Sequence, residues 1–341
     1  MLLSLIKYAG ISTKTAAMKQ KHLDKEQYLE LAAKHSVTEV CSYLKNHTVY
    51  ANVLGGLNEK QLHRDQLEEL LNRYLESEVK KIFSFSKGNI RKILNYIFVR
   101  YTIEQIKAAM RIIESGEPNS GRTEDGFFAQ KADANIAAIQ AATSYRQLLE
   151  ALEGTQYHSI LEVYITRKIG IFQMEMALDA YFFQYVWKSK DKLLKGLDKA
   201  ITTNSLGREI DMLNLIWVYR CKRYYRLESE LIYAHIIPIH YKISKSELVE
   251  LIGTPDVEAF LKKIKKTIYA KLFENKGKRS IEQNYAHIVL DIAKKNRRTH
   301  PFSIAALISY IHLIEIEIKN ITSIIESVRY GLAPDEDVYT T

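Results

Sequence analysis

The scarcity of turn-forming residues is the feature that most limits what this sequence can fold into. The chain has 341 residues, of which only 14 are glycine and 5 are proline, well below the average rates of about 7% and 5%. A chain poor in both residues cannot build the many tight hairpins that an all-β sandwich or barrel needs. The sequence therefore predicts an all-α protein, and its 47% of apolar residues is typical of a folded, globular chain.

Apolar residues recur at intervals of three and four along most of the chain, which is the spacing of one face of an α-helix. This spacing predicts long helices over about residues 58–83, 88–114, 157–198, 208–228 and 302–329. Gly170 is a candidate break in the third of these stretches. Ser36 and Ser144 each stand three residues before Glu or Gln at the start of an apolar run, which predicts helix N-caps. Thr254, followed by Pro255 and Asp256, predicts a third N-cap.

One helical unit of about 107 residues is predicted to occur three times. A Thr-x-Tyr sequence recurs with the same phase, and an amide inside an apolar helix follows each tyrosine by 51 to 57 residues. An acid stands three residues before the second and third amides, and Thr102 takes that place before the first. The repeated positions are Tyr50, Tyr157 and Tyr269, Gln105, Asn214 and Asn320, and Asp211 and Glu317. We expect these side chains to have structural roles, since an acid and an amide on one helix can hold a neighbouring helix by hydrogen bonds.

The repeat predicts three similar helical-bundle domains. The domains cover residues 1–115, 126–235 and 244–330, and a flexible acidic tail follows at 331–341. The borders fall in the glycine-containing segment 115–125 and in the segment Pro238–Ser246, which have the composition of loops. Three such bundles would form a ring, bowl or funnel rather than one deep catalytic cleft.

The motifs of an enzyme are absent from the sequence. Gly277-Lys278 is followed by Arg rather than by Ser or Thr, so it does not form a P-loop, and no GxGxxG, HExxH or GxSxG occurs. His235 and His240 are five residues apart with a proline between them, which does not favour a metal pair. We therefore predict no catalytic residue, no metal and no cofactor.

The two cysteines form no CxxC and are typical of a reducing compartment. Cys41 is interpreted as a small buried thiol. Cys221 lies between Arg220 and Lys222, whose positive charges would favour a lowered thiol pKa.

Basic residues outnumber acidic ones by 49 to 40, giving a net charge of +9. This excess favours an acidic partner, which leaves nucleic acid, an anionic membrane surface and an acidic protein open. The candidate partner surface consists of Arg220, Lys222, Arg223 and Arg226, which are interleaved with tyrosines. The cluster Lys262, Lys263, Lys265 and Lys266 is interpreted as a solvated helix face.

The longest uncharged run has 14 residues, fewer than the about 20 that span a bilayer, so we expect a soluble chain, and a peripheral membrane role stays open.

Three segments together resemble one known family. They are the opening with Tyr8-Ala9, Thr13-Lys14, Ala17-Met18 and Tyr28-Leu29, the segment Ser36–Leu54, and the end from Ala306 to Gly331, where Glu317-x-x-Asn320 is followed by Ile321. The resemblance is to the C subunits of bacterial and archaeal V/A-type rotary ATPases, a family that includes the d subunit of the eukaryotic vacuolar pump. Thr102 and Gln105 depart from the family's acid and Asn in the first repeat.

The resemblance implies a non-catalytic central-stalk subunit without a small-molecule substrate. It would be a funnel of three helical domains on the cytoplasmic face of the membrane, with a socket for the D and F shaft subunits above the membrane rotor ring of c/K subunits. There it would couple ATP-driven rotation to transport of protons or sodium. The alternative from the residues alone is a helical nucleic-acid-binding protein that uses the basic cluster.

Overall fold

A computed structural model describes residues 2–56, 64–116, 126–274 and 280–331 of the chain. Helix accounts for 78% of the structure, and the described residues contain no strand, so the predicted all-α class is confirmed. The predicted tail beyond Gly331 and most of the predicted loop at 115–125 lie outside the described residues.

The described residues form a succession of α-helices joined by short turns. In chain order they are α1 (Leu2–Lys19), α2 (Lys25–Ala32), α3 (Val37–His47), α4 (Ala51–Leu54), α5 (Arg64–Phe85), α6 (Gly88–Ile93), α7 (Tyr96–Ser115), α8 (Phe127–Lys131), α9 (Ile136–Ala141), α10 (Tyr145–Ala151), α11 (Gln156–Thr166), α12 (Ile171–Leu193), α13 (Gly196–Arg220), α14 (Ser229–His235), α15 (Lys245–Ile252), α16 (Val257–Ile264), α17 (Ile281–Thr299) and α18 (Ala305–Arg329). A π-helical turn, Cys221–Tyr225, extends α13, and a short 3₁₀ helix, Ala270–Phe273, precedes α17.

Two of the three predicted helix caps are confirmed. Ser36 and Ser144 are the N-caps of α3 and α10, and each side chain accepts a hydrogen bond from the backbone N–H three residues later. The prediction for Thr254 is wrong, because its hydroxyl donates instead to the Leu251 carbonyl, 2.7 Å away, at the end of α15. Asp256 is the N-cap of α16.

The long helices differ from the predicted spans where the chain turns without a strong breaker. The predicted helix over 88–114 is two helices, α6 and α7, which are separated at Leu94–Asn95. Gly170 is the N-cap of α12, as its position suggested. Helix α13 begins at Gly196, before the predicted start at 208, because burial of Ile201 and Leu206 stabilises a stretch of modest helix propensity.

The chain divides into two compact units. The first contains residues 1–86 and 268–341, and the second contains residues 87–267. In the first unit α18 packs against α1, α2, α3, α5 and α17. Its inward face is an isoleucine series at helical spacing, Ile314, Ile318, Ile321 and Ile325, which belongs to the core of that unit.

The second unit is organised around α12, which packs against α6, α7, α11, α13 and α14. The buried residues Leu178, Phe182 and Val186 recur every four residues on the inward face of α12. The division into three domains that the sequence suggests stays a prediction.

Candidate functional site

Glu317 is a buried carboxylate in the middle of the apolar helix α18. It is 4% exposed, and it accepts a hydrogen bond from the Tyr50 hydroxyl at 2.8 Å and from the Leu23 N–H at 2.9 Å. The Nδ1 atom of His22 lies 2.9 Å from the same carboxylate, at an angle outside that of a hydrogen bond. One side chain of α18 therefore holds both the segment before α2 and the start of α4.

Asp211 plays the corresponding part on α13. It is 2% exposed and accepts three hydrogen bonds, at 2.6 to 3.1 Å, from the backbone N–H groups of residues 241–243. One helical turn later, Asn214 donates to the carbonyl of Ile237 at 3.0 Å and accepts from its N–H at 2.8 Å. These two side chains hold the non-helical segment between α14 and α15 against α13.

On α7 a similar contact is made, but here the acid belongs to the segment that faces the helix and not to the helix itself. Thr102 is fully buried, and its hydroxyl donates to Asp133, which precedes α9, at 2.9 Å. The Tyr157 hydroxyl donates to the same carboxylate at 2.9 Å. The Gln140 side chain donates to the Gln105 carbonyl oxygen at 2.9 Å. Asp133 is the residue of this contact that the sequence analysis did not predict, because it lies in the turn between α8 and α9, outside the repeated positions.

The three anchored segments are evenly spaced in the chain. Leu23, Asp133 and Ile243, which contact Glu317, Thr102 and Asp211 respectively, are separated by 110 residues in each step. Each anchored segment stands just before a short helix, namely α2, α9 and α15. Thr102, Asp211 and Glu317, which stand at the acid position of the predicted repeat, therefore each join a long helix to a non-helical segment by hydrogen bonds.

The other predicted repeat positions are buried or half-buried. Asn320 is 6% and Tyr269 is 3% exposed, and Gln105 is half-buried. Burial raises the pKa of Tyr50, and the charge of Glu317 raises it further. Burial and the carboxylate of Asp133 raise the pKa of Tyr157 in the same direction. Both phenols therefore stay protonated and act as hydrogen-bond donors.

The predicted basic cluster lies at the end of α13 and in the turn after it. Lys222 donates to the Thr254 carbonyl at 2.6 Å, and burial lowers its pKa. Arg220 is half-buried, whereas Arg223 and Arg226 are exposed. Arg226 has a left-handed backbone with φ of +48°, a conformation that non-glycine residues rarely adopt.

Two tyrosines between these arginines face solvent. Tyr224 is 69% and Tyr225 is 49% exposed, and Tyr225 stacks on Phe172 with ring centroids 4.0 Å apart. We call Arg223, Tyr224, Tyr225 and Arg226 the RYYR surface. Exposed aromatic rings beside exposed arginines are typical of binding surfaces, where Tyr and Arg are enriched.

Comparison with known proteins identifies the family. The model of the ATP synthase (C/AC39) subunit family matches residues 11–336. The chain belongs to this family. The C subunit of the A-type ATP synthase of Methanosphaera stadtmanae is 23% identical, over 99% of this chain and 88% of its own length. Its counterpart in Methanocaldococcus jannaschii is 22% identical, over 98% and 86%, and that in Thermococcus gammatolerans is 23% identical, over 96% and 88%.

Members of this family are structural rather than catalytic subunits, which confirms the prediction that the chain is not an enzyme. Within the described residues, no group of three His, Cys, Asp or Glu side chains is placed to hold a metal ion. In the same part of the chain no helix is both long enough and apolar enough to cross a bilayer.

Two further sequence interpretations concern the cysteines. Cys41 is 1% exposed, which confirms a buried thiol. The expected lowering of the Cys221 pKa is wrong, because the thiol is fully buried beneath the turn and burial raises its pKa to about 11. The neighbouring Arg220 and Lys222 do not overcome the loss of water around the thiolate.

Proposed function

We propose that this chain is a non-catalytic central-stalk subunit of a V/A-type rotary ATPase. It joins the D and F shaft subunits to the membrane rotor ring of c/K subunits on the cytoplasmic face, as a peripheral subunit. Through this connection, rotation driven by ATP is coupled to transport of protons or sodium. The observation that supports the proposal most strongly is the family match over residues 11–336.

A coupling subunit has to transmit torque without deforming. The contacts made by Thr102, Asp211 and Glu317 suit this requirement. Each of the helices α7, α13 and α18 holds a non-helical segment through a buried or partly buried polar contact, and a broken contact would leave a polar group unsatisfied. The even spacing of these contacts also supports three equivalent helical domains, which are arranged as a funnel in this proposal.

The RYYR surface is the proposed contact with the shaft or the ring. Arg223 and Arg226 contribute exposed positive charge, and Tyr224 and Tyr225 contribute broad apolar area. Lys222 holds the turn that carries this surface through its hydrogen bond to the Thr254 carbonyl. Arg220 ends the helix on which the surface stands.

The test is a pull-down of the tagged chain from its native cells in mild detergent, followed by mass spectrometry. We expect rotary-ATPase shaft and ring subunits to be recovered with the wild-type chain. The double variant Arg223→Glu with Arg226→Glu should recover them less well while keeping its helical circular dichroism. The matched control, Lys262→Glu with Lys266→Glu, changes the charge equally on exposed lysines elsewhere and should recover them normally.

The alternative is a helical nucleic-acid-binding protein, and the RYYR surface is the specific observation in its favour. Exposed tyrosines flanked by arginines can stack bases while the charges hold the phosphates. Recovery of nucleic acid without ATPase subunits, with an affinity that falls steeply as salt rises, would contradict the coupling proposal and support this alternative.

A further inference from the structure

Residues on one face of α12 in the second unit line two cavities, which we together call the groove. Two adjoining cavities of about 310 and 420 Å³ meet at Gln184. Their floor follows the α12 positions Ala177, Ala180, Gln184, Lys188 and Lys192, which recur at intervals of three and four. At about 1.5 Å per residue this row is roughly 22 Å long, the length of about four helical turns.

The shape and lining of the groove fit a helix. Ala177 and Ala180 have short side chains that permit close approach, and Tyr164 and Tyr233 stand at the same end of the groove. Tyr181 and Tyr185 line the other end. Tyrosine is enriched in protein interfaces because it provides a large contact area together with a hydroxyl group.

The groove carries positive charge and no acidic side chain. None of the residues that line the two cavities is Asp or Glu, whereas Lys188 and Lys192 are exposed at one end. Neither lysine forms an ion pair with another described residue. The positive charge of the groove is therefore free to meet a partner.

Each carboxylate of α12 is paired with a lysine or arginine other than Lys188 and Lys192. Glu175 pairs with Arg111 at 2.7 Å, and Asp179 pairs with Lys107 at 2.5 Å. Asp191 lies 2.9 Å from the ammonium groups of both Lys190 and Lys199. Of the charged groups of α12, the ones that remain unpaired are thus the two lysines at the end of the groove.

We propose that this groove binds an amphipathic helix of a partner subunit, with acidic side chains at the end that meets Lys188 and Lys192. The apolar stripe of that helix lies over Ala177 and Ala180. This inference rests on the proposed function for the identity of the complex, and it assigns a second contact that is separate from the RYYR surface.

The test uses the full-length chain assembled in its native complex. A photo-cross-linking amino acid replaces Gln184, and the cross-linked peptides are identified by mass spectrometry. We expect cross-links to a helical segment of a partner subunit that carries Asp or Glu within one or two turns of the cross-linked residue. The same amino acid at Glu209, on α13 and outside the groove lining, should not give this product.

A charge-reversal pair then tests the role of the lysines. Lys188→Glu with Lys192→Glu should lower the cross-link yield about tenfold near 50 mM salt and less at high salt, since salt screens exposed charges. Lys262→Glu with Lys266→Glu has the same four-residue spacing and the same charge change, and it should leave the yield unchanged.

Each other outcome has a defined meaning. Cross-links to lipid, to a second copy of this chain or to a basic segment would overturn the inference, and so would a yield insensitive to the lysine reversals. Normal assembly with ATPase subunits but no cross-link from Gln184 would also overturn it, and would leave the proposed function standing. A chain that recovers no ATPase subunits would instead refute the proposed function.

Discussion

Tyr50→Phe removes one hydroxyl from a buried polar contact of the first unit. The phenol is fully buried and donates to Glu317 at 2.8 Å, while the Leu23 N–H holds the other oxygen of the carboxylate. Phenylalanine fits the same space, so the change leaves the ring packing against Tyr74 in place. The variant therefore isolates the loss of a donor to a buried charge.

The expected cost follows from the charge of the acceptor. Hydrogen bonds to charged groups contribute about 1.5–3 kcal/mol. Glu317 keeps the Leu23 N–H, and His22 stays beside it, so we expect a loss near the lower half of that range, about 2 kcal/mol. For a unit of this size, each kcal/mol lowers the melting temperature by about 2–4 °C, which gives a fall of about 4–8 °C.

The measurement is thermal unfolding followed by circular dichroism at pH 7. Tyr74→Phe is the matched control, because Tyr74 lies in the same cluster with its ring 4.6 Å from that of Tyr50 but its hydroxyl donates no hydrogen bond to a described residue. We expect the control to lower the melting temperature by less than about 2 °C, since it removes no such bond. Equal melting temperatures for the two variants would refute the reasoning that Glu317 depends on Tyr50.

Three further experiments test other parts of the structure. Asp211→Asn should cost about 2–3 kcal/mol in chemical denaturation, because an amide leaves one buried and two partly buried N–H donors without the charged acceptor; a loss below about 0.5 kcal/mol would contradict this. Gly207→Ala should lower stability, since the new methyl group would lie 2.5 Å from Tyr241 Cγ, whereas Gly10→Ala, which meets nothing within 4 Å, should raise it by up to about 1 kcal/mol. Cys221 should resist iodoacetamide at pH 8 in the folded chain and react once unfolded, because burial raises its pKa to about 11; rapid modification of the native protein would show the thiol to be accessible.

Helical content was the most predictable property of this chain. The apolar spacing that predicts a helix over 302–329 corresponds closely to α18, and Gly170 begins α12 as its position suggested. Helical spacing and helix starts depend on residues that are close in the sequence, so a sequence pattern can predict them. The break between α6 and α7 at Leu94–Asn95 lacks glycine and proline, so the sequence contains no strong helix breaker from which to predict it.

The state of individual groups was less predictable, because it depends on what the fold places around them. Arg220 and Lys222 are sequence neighbours of Cys221, yet the thiol is buried and its pKa rises. Lys222 was grouped with the exposed arginines, yet its ammonium group is held by the Thr254 carbonyl. Proximity in sequence fixes neither the direction of a side chain nor its access to water.

The contact of Thr102 differs from those of Asp211 and Glu317 in which side supplies the acid. At α13 and α18 the long helix supplies the carboxylate, and the segment that faces the helix supplies the donors. At α7 the helix supplies the hydroxyl of Thr102, and the segment supplies the carboxylate of Asp133. One carboxylate satisfies each contact, and a second one beside it would add like-charge repulsion and the cost of removing another charge from water. The three contacts thus share a carboxylate paired with hydrogen-bond donors, although the carboxylate stands on the long helix in two of them and on the facing segment in the third.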